Sequence, residues 1–360
     1  MNLKMKKRFV SIANTLLPVF FSLIVGAVFL ILSGNNPFEV YFNIVQWSFF
    51  TADGIAHTIA FAAPIAMTGL AIALAYRGGT INMGVEGQLY IGALFATYLG
   101  FTITTLPRGL HIIVCLSGGA LAGMALAFIP AVMKAFFKVS EVVTTMMLNN
   151  AIIIVCSFLT NRTFNANVGY SATFEIEPTA KLTRLYGTTR LSSAVLIALG
   201  LFILTYVIMK KSKLGFEIEA MGRQKEFSDA MGMRFHIKTI VLFLISGAYA
   251  GIAGATEIMG SFYRFTPSFS TNPGIGWQGI QVANLAGRDP VGVMVASIFY
   301  GAFKYGGTCL QTKMGISSDL VNIIQSSLIL FVGVRYLKTE TKLLDGWFVR
   351  KENDKGGAPV

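Results

Sequence analysis

Charge is what this sequence most lacks. Asp, Glu, Lys and Arg make up 13% of its 360 residues, about half the share that a soluble domain carries. A water-soluble globule of this length cannot cover its surface with so few charges, which excludes a soluble enzyme. The 54% of hydrophobic residues exclude a disordered chain. Cysteine is scarce too: Cys115, Cys156 and Cys309 lie in or beside apolar runs and form no Cys-x-x-Cys pair. A disulfide scaffold is thereby excluded, and helix packing is their expected role. His57, His111 and His236 are scattered and make no His-Glu-x-x-His motif. There is no Gly-x-Ser-x-Gly element, and the dipeptide Gly-Lys never occurs, so no P-loop can hold a nucleotide. No catalytic residue, metal or cofactor is expected, and any ATP used must be hydrolysed by another subunit.

What the chain does have is a series of apolar runs of about 20 residues, the signature of an all-α, polytopic membrane protein. The first, Val10–Leu32, is too long for a signal peptide and is followed by no Ala-x-Ala site, so it reads as an uncleaved helix. Further spans are expected near Gly54–Tyr76, Gln88–Thr105, His111–Met133, Val142–Thr160, Leu191–Met209, Thr239–Met259, Val291–Thr308 and Leu320–Tyr336, with Pro273–Ala286 a shorter, Gly-rich candidate. Charge decides the parity. The net charge of +12 arises from clusters at the ends of spans, which fits the cytoplasmic excess of basic residues better than nucleic-acid binding. Lys4 to Arg8 place the N-terminus inside. Lys134 and Lys138, the run Lys210–Lys238, and the tail with Arg335, Lys338, Lys342, Arg350, Lys351 and Lys355 must then also be inside. That requires ten crossings, so Pro273–Ala286 has to cross, and both termini are cytoplasmic. The expected plan is a basic N-terminus (residues 1–9), a membrane domain (10–337) and a charged tail (338–360). Within the domain, 161–190 is a polar external loop and 210–238 a cytoplasmic loop.

Several segments combine glycine with polar groups beside apolar runs. In Arg77-Gly-Gly-Thr-Ile-Asn-Met-Gly-Val-Glu-Gly-Gln88, four glycines can break a helix and permit close backbone approach. Asn82, Glu86 and Gln88 are costly there unless satisfied. The segment reads either as an ordinary turn with a helix start or as a broken helix entering the membrane. The pattern Asn82-x-Gly84-x-x-x-Gln88 recurs as Asn272-x-Gly274-x-x-x-Gln278, a faint echo of internal duplication. Glu257 is an intramembrane acid, with a structural hydrogen bond and a transport role both open. Asn149, Asn150, Thr144 and Thr145 can bond across helices or contact solute. Gly215–Met233 looks like a short amphipathic helix, with Ala220, Phe227 and Met231 at helical spacing and Gly232 at its end. It would lie on lipid headgroups or dock into a groove on a cytosolic partner.

Taken together, Gly69–Arg77 with Asn82–Gln88, Glu141–Asn149, Ser246–Gly254, and Gly276–Ala283 with Gly287-Arg-Asp-Pro290 resemble one family's signatures. The family is the integral-membrane permease subunits of bacterial ABC importers that handle branched-chain amino acids, simple sugars and nucleosides. Ala220-x-Gly222 followed by Ala230-x-Gly232 is similar to that family's coupling loop, with Phe227 between them. The resemblance covers roughly residues 10–337 and is strongest to the nucleoside-type permeases; a long first external region, Ser33–Asp53, fits the larger of two paired permeases. It implies a plasma-membrane subunit working with a cytosolic ATPase, a second, paralogous permease (or a second copy of itself) and an external, lipid-anchored binding protein. The solute pathway would draw on Asn82, Glu86, Gln88, Asn149, Trp277 and Gln278, with Trp277 able to stack on a base or a sugar face. A sugar permease and an ion-coupled secondary transporter using Glu86 and Glu257 are the alternatives.

Overall fold

The computed structural model describes residues 19–223, 235–270, 274–317, 319–324 and 326–327. Among these the regular structure is helical, and β pairing is limited to two isolated bridges, Asn165 with Thr173 and Arg184 with Ser192. The chain divides into two compact units, one made of its two ends (up to Phe42 and from Leu310) and one of Asn43–Cys309.

In the first unit, α1 (Val19–Leu32) gives way to the start of α2 (Pro37–Phe49). The chain turns at Gly34, whose φ of +77° suits glycine, and the Asn36 side chain then accepts from the Phe38 amide at 3.0 Å. Asn followed by Pro at the first helical position is a favoured helix start, so the stretch expected as an external loop holds a helix. Tyr41 ties α2 back to α1 by donating to the Leu23 carbonyl at 2.7 Å.

The second unit holds α3 (Ala52–Arg77), α4 (Val85–Thr102), α5 (Arg108–Phe137), α6 (Glu141–Arg162), α7 (Ala194–Lys211), α8 (Lys213–Arg223) and α9 (Phe235–Glu257). A π turn (Ile258–Phe262) extends α9, and α10 (Ile275–Leu285) and α11 (Pro290–Met314) follow, the last running on into the first unit. α3 is capped by Thr51, whose hydroxyl accepts from Gly54 N–H at 3.0 Å, with Asp53 in its first turn and Arg77 in its last. Its apolar stretch is 83% buried inside the protein, against 28%, 17% and 22% for α5, α6 and α7. Apolar helices left that bare need lipid or another subunit against them. α3, α5, α6, α7 and α9 with its π turn are long and apolar enough to cross a membrane, and α1 with α2 makes a sixth.

α9 packs against α5 and α4 through glycine. Gly119 and Gly123 on α5 face Gly247 and Gly251 on α9, both pairs in Gly-x-x-x-Gly spacing, and Gly92 of α4 meets Gly251. Backbones this close leave no room for a Cβ, which is how helices gain van der Waals contact where no hydrophobic drive separates them from lipid.

The Pro273–Ala286 candidate folds as α10, whose 11 residues span about 16 Å, roughly half the hydrocarbon thickness. It cannot cross alone. Thr68 in mid-α3 donates to the Ile275 carbonyl at 3.3 Å, and Arg77 at the end of α3 donates to the Arg288 carbonyl at 2.8 Å. α10 therefore starts beside the middle of α3 and runs parallel to its second half. The non-helical residues 263–270 before it pack on the protein: Phe265 and Phe269 are buried, and Tyr90 of α4 donates to the carbonyls of Pro267 (3.0 Å) and Ser270 (3.2 Å). Irregular backbone at membrane depth is tolerated only where protein or water satisfies it.

The loop 163–193 is strapped to the same end by the Thr173, Ile176 and Leu182 amides, which donate to the carbonyls of Phe265, Tyr263 and Met259. Most of the expected Leu320–Tyr336 span lies outside the described residues.

Candidate functional site

At the end of α3 the chain turns through Gly79 (φ +73°) and runs without helix to Gly84, where α4 begins. Asn82 organises this start. Its Nδ2 donates to Gln88 Oε1 (2.9 Å) and to Ser246 Oγ on α9 (2.8 Å), while its Oδ1 accepts from the Gly84 amide (2.9 Å) and Gln88 Nε2 (3.2 Å). Asn149 on α6 completes it, accepting from Gly87 N–H at 2.7 Å and donating to the Met83 carbonyl at 2.6 Å. Two amides that the helix start leaves without partners, Gly84 and Gly87, are thus satisfied by the side chains of Asn82 and Asn149.

Glu86, in the first turn of α4, reaches across to the start of α10. Its carboxylate accepts from Ser270 Oγ (2.6 Å) and from Gly276 N–H (2.6 Å), and Ser270 Oγ in turn accepts from Ile275 N–H at 2.8 Å. A carboxylate placed on the first amides of a buried helix both caps it and meets the positive end of its dipole. Gly276 is required by this closeness: a Cβ there would lie 2.6 Å from the Glu86 backbone nitrogen. In both halves of the echoed pattern the glycine is the N-cap, and the Gln88 and Gln278 amides donate back to Gly84 and Gly274 carbonyls, each at 3.0 Å. Asn272 lies outside the described residues.

The six residues expected to line a pathway therefore separate. Asn82, Glu86, Gln88, Asn149 and Gln278 are buried, and the first four are bonded to the chain itself; Trp277 alone is substantially exposed, at 36%. Asn150 is exposed. Thr144 and Thr145 bond back to carbonyls in their own helix, at Ser140 and Glu141, rather than across helices.

Around Phe61, two turns before Thr68 on α3, stands a group of which the sequence reading singled out only Glu257. Arg190 lies over the rings of Phe61 (5.3 Å) and Phe262 (5.1 Å), and Lys304 of α11 lies over Phe61 at 5.9 Å. Glu257, at the end of α9, feels the attraction of both cations. One turn before Phe61, His57 stacks on Tyr305 at 4.9 Å. Lys304 was visible as a lone cation inside an apolar run; Arg190, at the end of a polar loop, carried no such signal.

The segment expected as a cytoplasmic loop begins with a helix. Ser212 Oγ accepts from Gly215 N–H at 3.1 Å and starts α8. Its apolar face turns inward, with Ile218 packed against Leu74, Met209 and Leu242, and Phe216 left 70% exposed. Ala220 is half-buried, and Gly222 lies on the turn at Gly79, 3.2 Å from the place a Cβ there would take. Phe227, Ala230, Met231 and Gly232 lie outside the described residues.

Residues 54–333 match the family described as branched-chain amino acid transport system / permease component. The chain is 32% identical over 337 residues to the guanosine ABC transporter permease protein NupP of Bacillus subtilis, covering 92% of this chain and 96% of that one. It is 30% identical to the glucose ABC transporter permease protein TsgB13 of Haloferax volcanii, over 88% of this chain and 85% of that one. It is 27% identical to the nucleoside ABC transporter permease protein NupB of Lactococcus lactis, over 89% and 90%. No solved structure matches.

Proposed function

Because the chain belongs to the family of branched-chain amino acid transport system permease components, we propose that it is the membrane-spanning subunit of an ATP-driven importer of nucleosides in a plasma membrane. The observation that carries this reading is the similarity to a guanosine permease along nearly the whole of both chains. The subunit crosses the membrane ten times with both termini on the cytoplasmic side. The short α10 supports that count, since the chain just beyond its end lies level with Arg77, at the end of α3. Solute delivered by an external binding protein passes between this subunit and a second permease. A cytosolic ATPase moves the pair between outward-open and inward-open states, acting on the loop 210–238. Gly222, seated on the turn that leads into α4, gives that loop a direct line to the two helix starts around Glu86. This subunit supplies a path and a lever, without covalent chemistry. Trp277 is the residue of the α4–α10 junction that remains available to solute.

The similarity to a glucose permease favours simple sugars as a second reading. Reconstituting the complex in vesicles and following labelled guanosine and glucose tests both. ATP-dependent guanosine uptake is expected. Uptake of glucose alone would transfer the assignment to sugars, and uptake of either by this chain without ATP would end the importer reading.

A further inference from the structure

The group around Arg190 differs from the other sets of charges among the described residues. Lys304 and Glu257 belong to apolar helices, where an ionised side chain is costly unless it is paired or faces water. Both are half-buried, as are Arg190, Phe61 and Phe262. Among the described residues, no ion pair or hydrogen bond joins the charged ends of Arg190, Lys304 or Glu257 to the chain. They act on one another only through space, and on the two phenyl faces. Three charged side chains with no bonded partner among the described residues, set around two aromatic rings, describe a site whose partner comes from outside.

The charges also say what that partner is. The two cations are balanced by two carboxylates, Glu257 and, farther off, Glu86, whose attraction Lys304 also feels. A balanced field favours an uncharged solute over a phosphorylated one. Phe61 and Phe262 offer flat apolar faces. Arg190 and Lys304 supply donors, and the Glu257 carboxyl oxygens supply acceptors. A sugar presents hydroxyls that both donate and accept and would gain little from so polarised an array. A 6-oxopurine has two adjacent acceptors, N7 and O6, which suit a guanidinium fork, beside a ring N–H for a carboxylate. Adenine puts an amino donor where O6 would be.

Building on the nucleoside reading above, we propose that Arg190, Lys304 and Glu257, with Phe61 and Phe262, form a solute site in this subunit that takes a purine nucleoside by the oxo edge of its base.

The test is carried out on the whole complex in vesicles, with labelled guanosine and adenosine well below saturation, comparing the chain with Arg190→Lys and Glu257→Gln. Each variant keeps the size of the side chain and removes one half of the edge recognition. The expected result is a fall of about tenfold in the guanosine-to-adenosine uptake ratio, the usual discrimination lost with one bidentate contact. A purely structural role would lower both rates together. An unchanged ratio overturns the site and leaves the nucleoside reading standing; a parent complex that moves glucose and neither nucleoside overturns that reading first. Thiol labelling guards against variants that fail to assemble. The three native cysteines are buried, so Phe61→Cys should give the reactive thiol. Guanosine is expected to slow its modification and glucose to leave it unchanged; equal rates with and without guanosine overturn the site.

Discussion

Two carboxylates at membrane depth, Glu86 and Glu257, belong to the same residue type and meet opposite fates. Glu86 has its oxygens taken by Ser270 and by the first amides of α10, and no solute is needed to complete it. Glu257 faces two cations across space, with no hydrogen bond of its own among the described residues. The contrast shows that a polar group in an apolar run is no reliable sign of a pathway. What matters is whether the chain itself supplies its partner. By that criterion the bonds at the α4–α10 junction hold two helix starts together, and the group of Phe61, Arg190, Glu257 and Lys304 is the one we propose for solute.

The sharpest way to break this comparison is to remove both acids. Glu86→Leu leaves the Ser270 hydroxyl and the Gly276 amide buried without an acceptor, a loss of about 1–3 kcal/mol for each. The variant is expected to be absent from membranes, or to elute as aggregate on gel filtration in detergent. Glu257→Leu should accumulate at the parent level while its guanosine uptake is lost. If Glu86→Leu folds and fails only in transport, the junction is a pathway after all.

Packing gives a second, smaller contrast. Gly251→Leu would drive a side chain into the Gly119 carbonyl and the backbone of α5, and overpacking of this kind costs about 1–3 kcal/mol. A fall in melting temperature of the detergent-solubilised subunit is expected. Gly200, which has nothing within reach of a Cβ on the open side of α7, should tolerate alanine with no fall.

Legibility in the sequence followed the same division. The apolar runs marked most of the long helices to within a few residues, because length and hydropathy are set locally. Asn82, Glu86, Gln88 and Asn149 stood out because polar groups beside apolar runs are expensive. Whether Asn82 and Glu86 were satisfied depended on Ser246, Ser270 and Gly276, which lie from 164 to 190 positions away along the chain, and no local pattern reports that. The amphipathic spacing of α8 was real, but amphipathicity does not say what covers the apolar face; here the subunit's own Leu74, Met209 and Leu242 do. Lys304 was legible as an isolated charge, and its meaning came only from Arg190, delivered by a loop.

Trp277 tests the boundary between the two regions. It belongs to α10, yet it is more than a third exposed. Trp277→Ala is therefore expected to fold with a melting temperature close to the parent's and to slow guanosine uptake severalfold, measured at equal amounts of membrane-embedded complex. Loss of stability with unchanged uptake per molecule would assign the indole to packing.

The smallest effect is expected where a closed cluster meets water. Glu175, in the loop 163–193, pairs with Lys181 at 2.5 Å and Arg264 at 2.9 Å, which holds its carboxyl below the ordinary value of 4.5. Like Glu86, it has its partners supplied by the chain; unlike Glu86, it is open to solvent, with 44% of its side chain exposed. A carboxyl depressed in the folded state lends stability that is present above the unfolded value and disappears as pH falls through the folded one. The contribution should be about 0.5 kcal/mol or less, the usual scale of an exposed pair. Melting the solubilised subunit as pH is lowered from 6 through 4.5 should therefore give nearly parallel curves for the parent and Glu175→Gln, converging at the acid end and shrinking in added salt. A gap of several degrees at pH 6 would show that the loop is far less hydrated than its exposure implies, and that partner supply alone, without burial, sets the strength of these contacts.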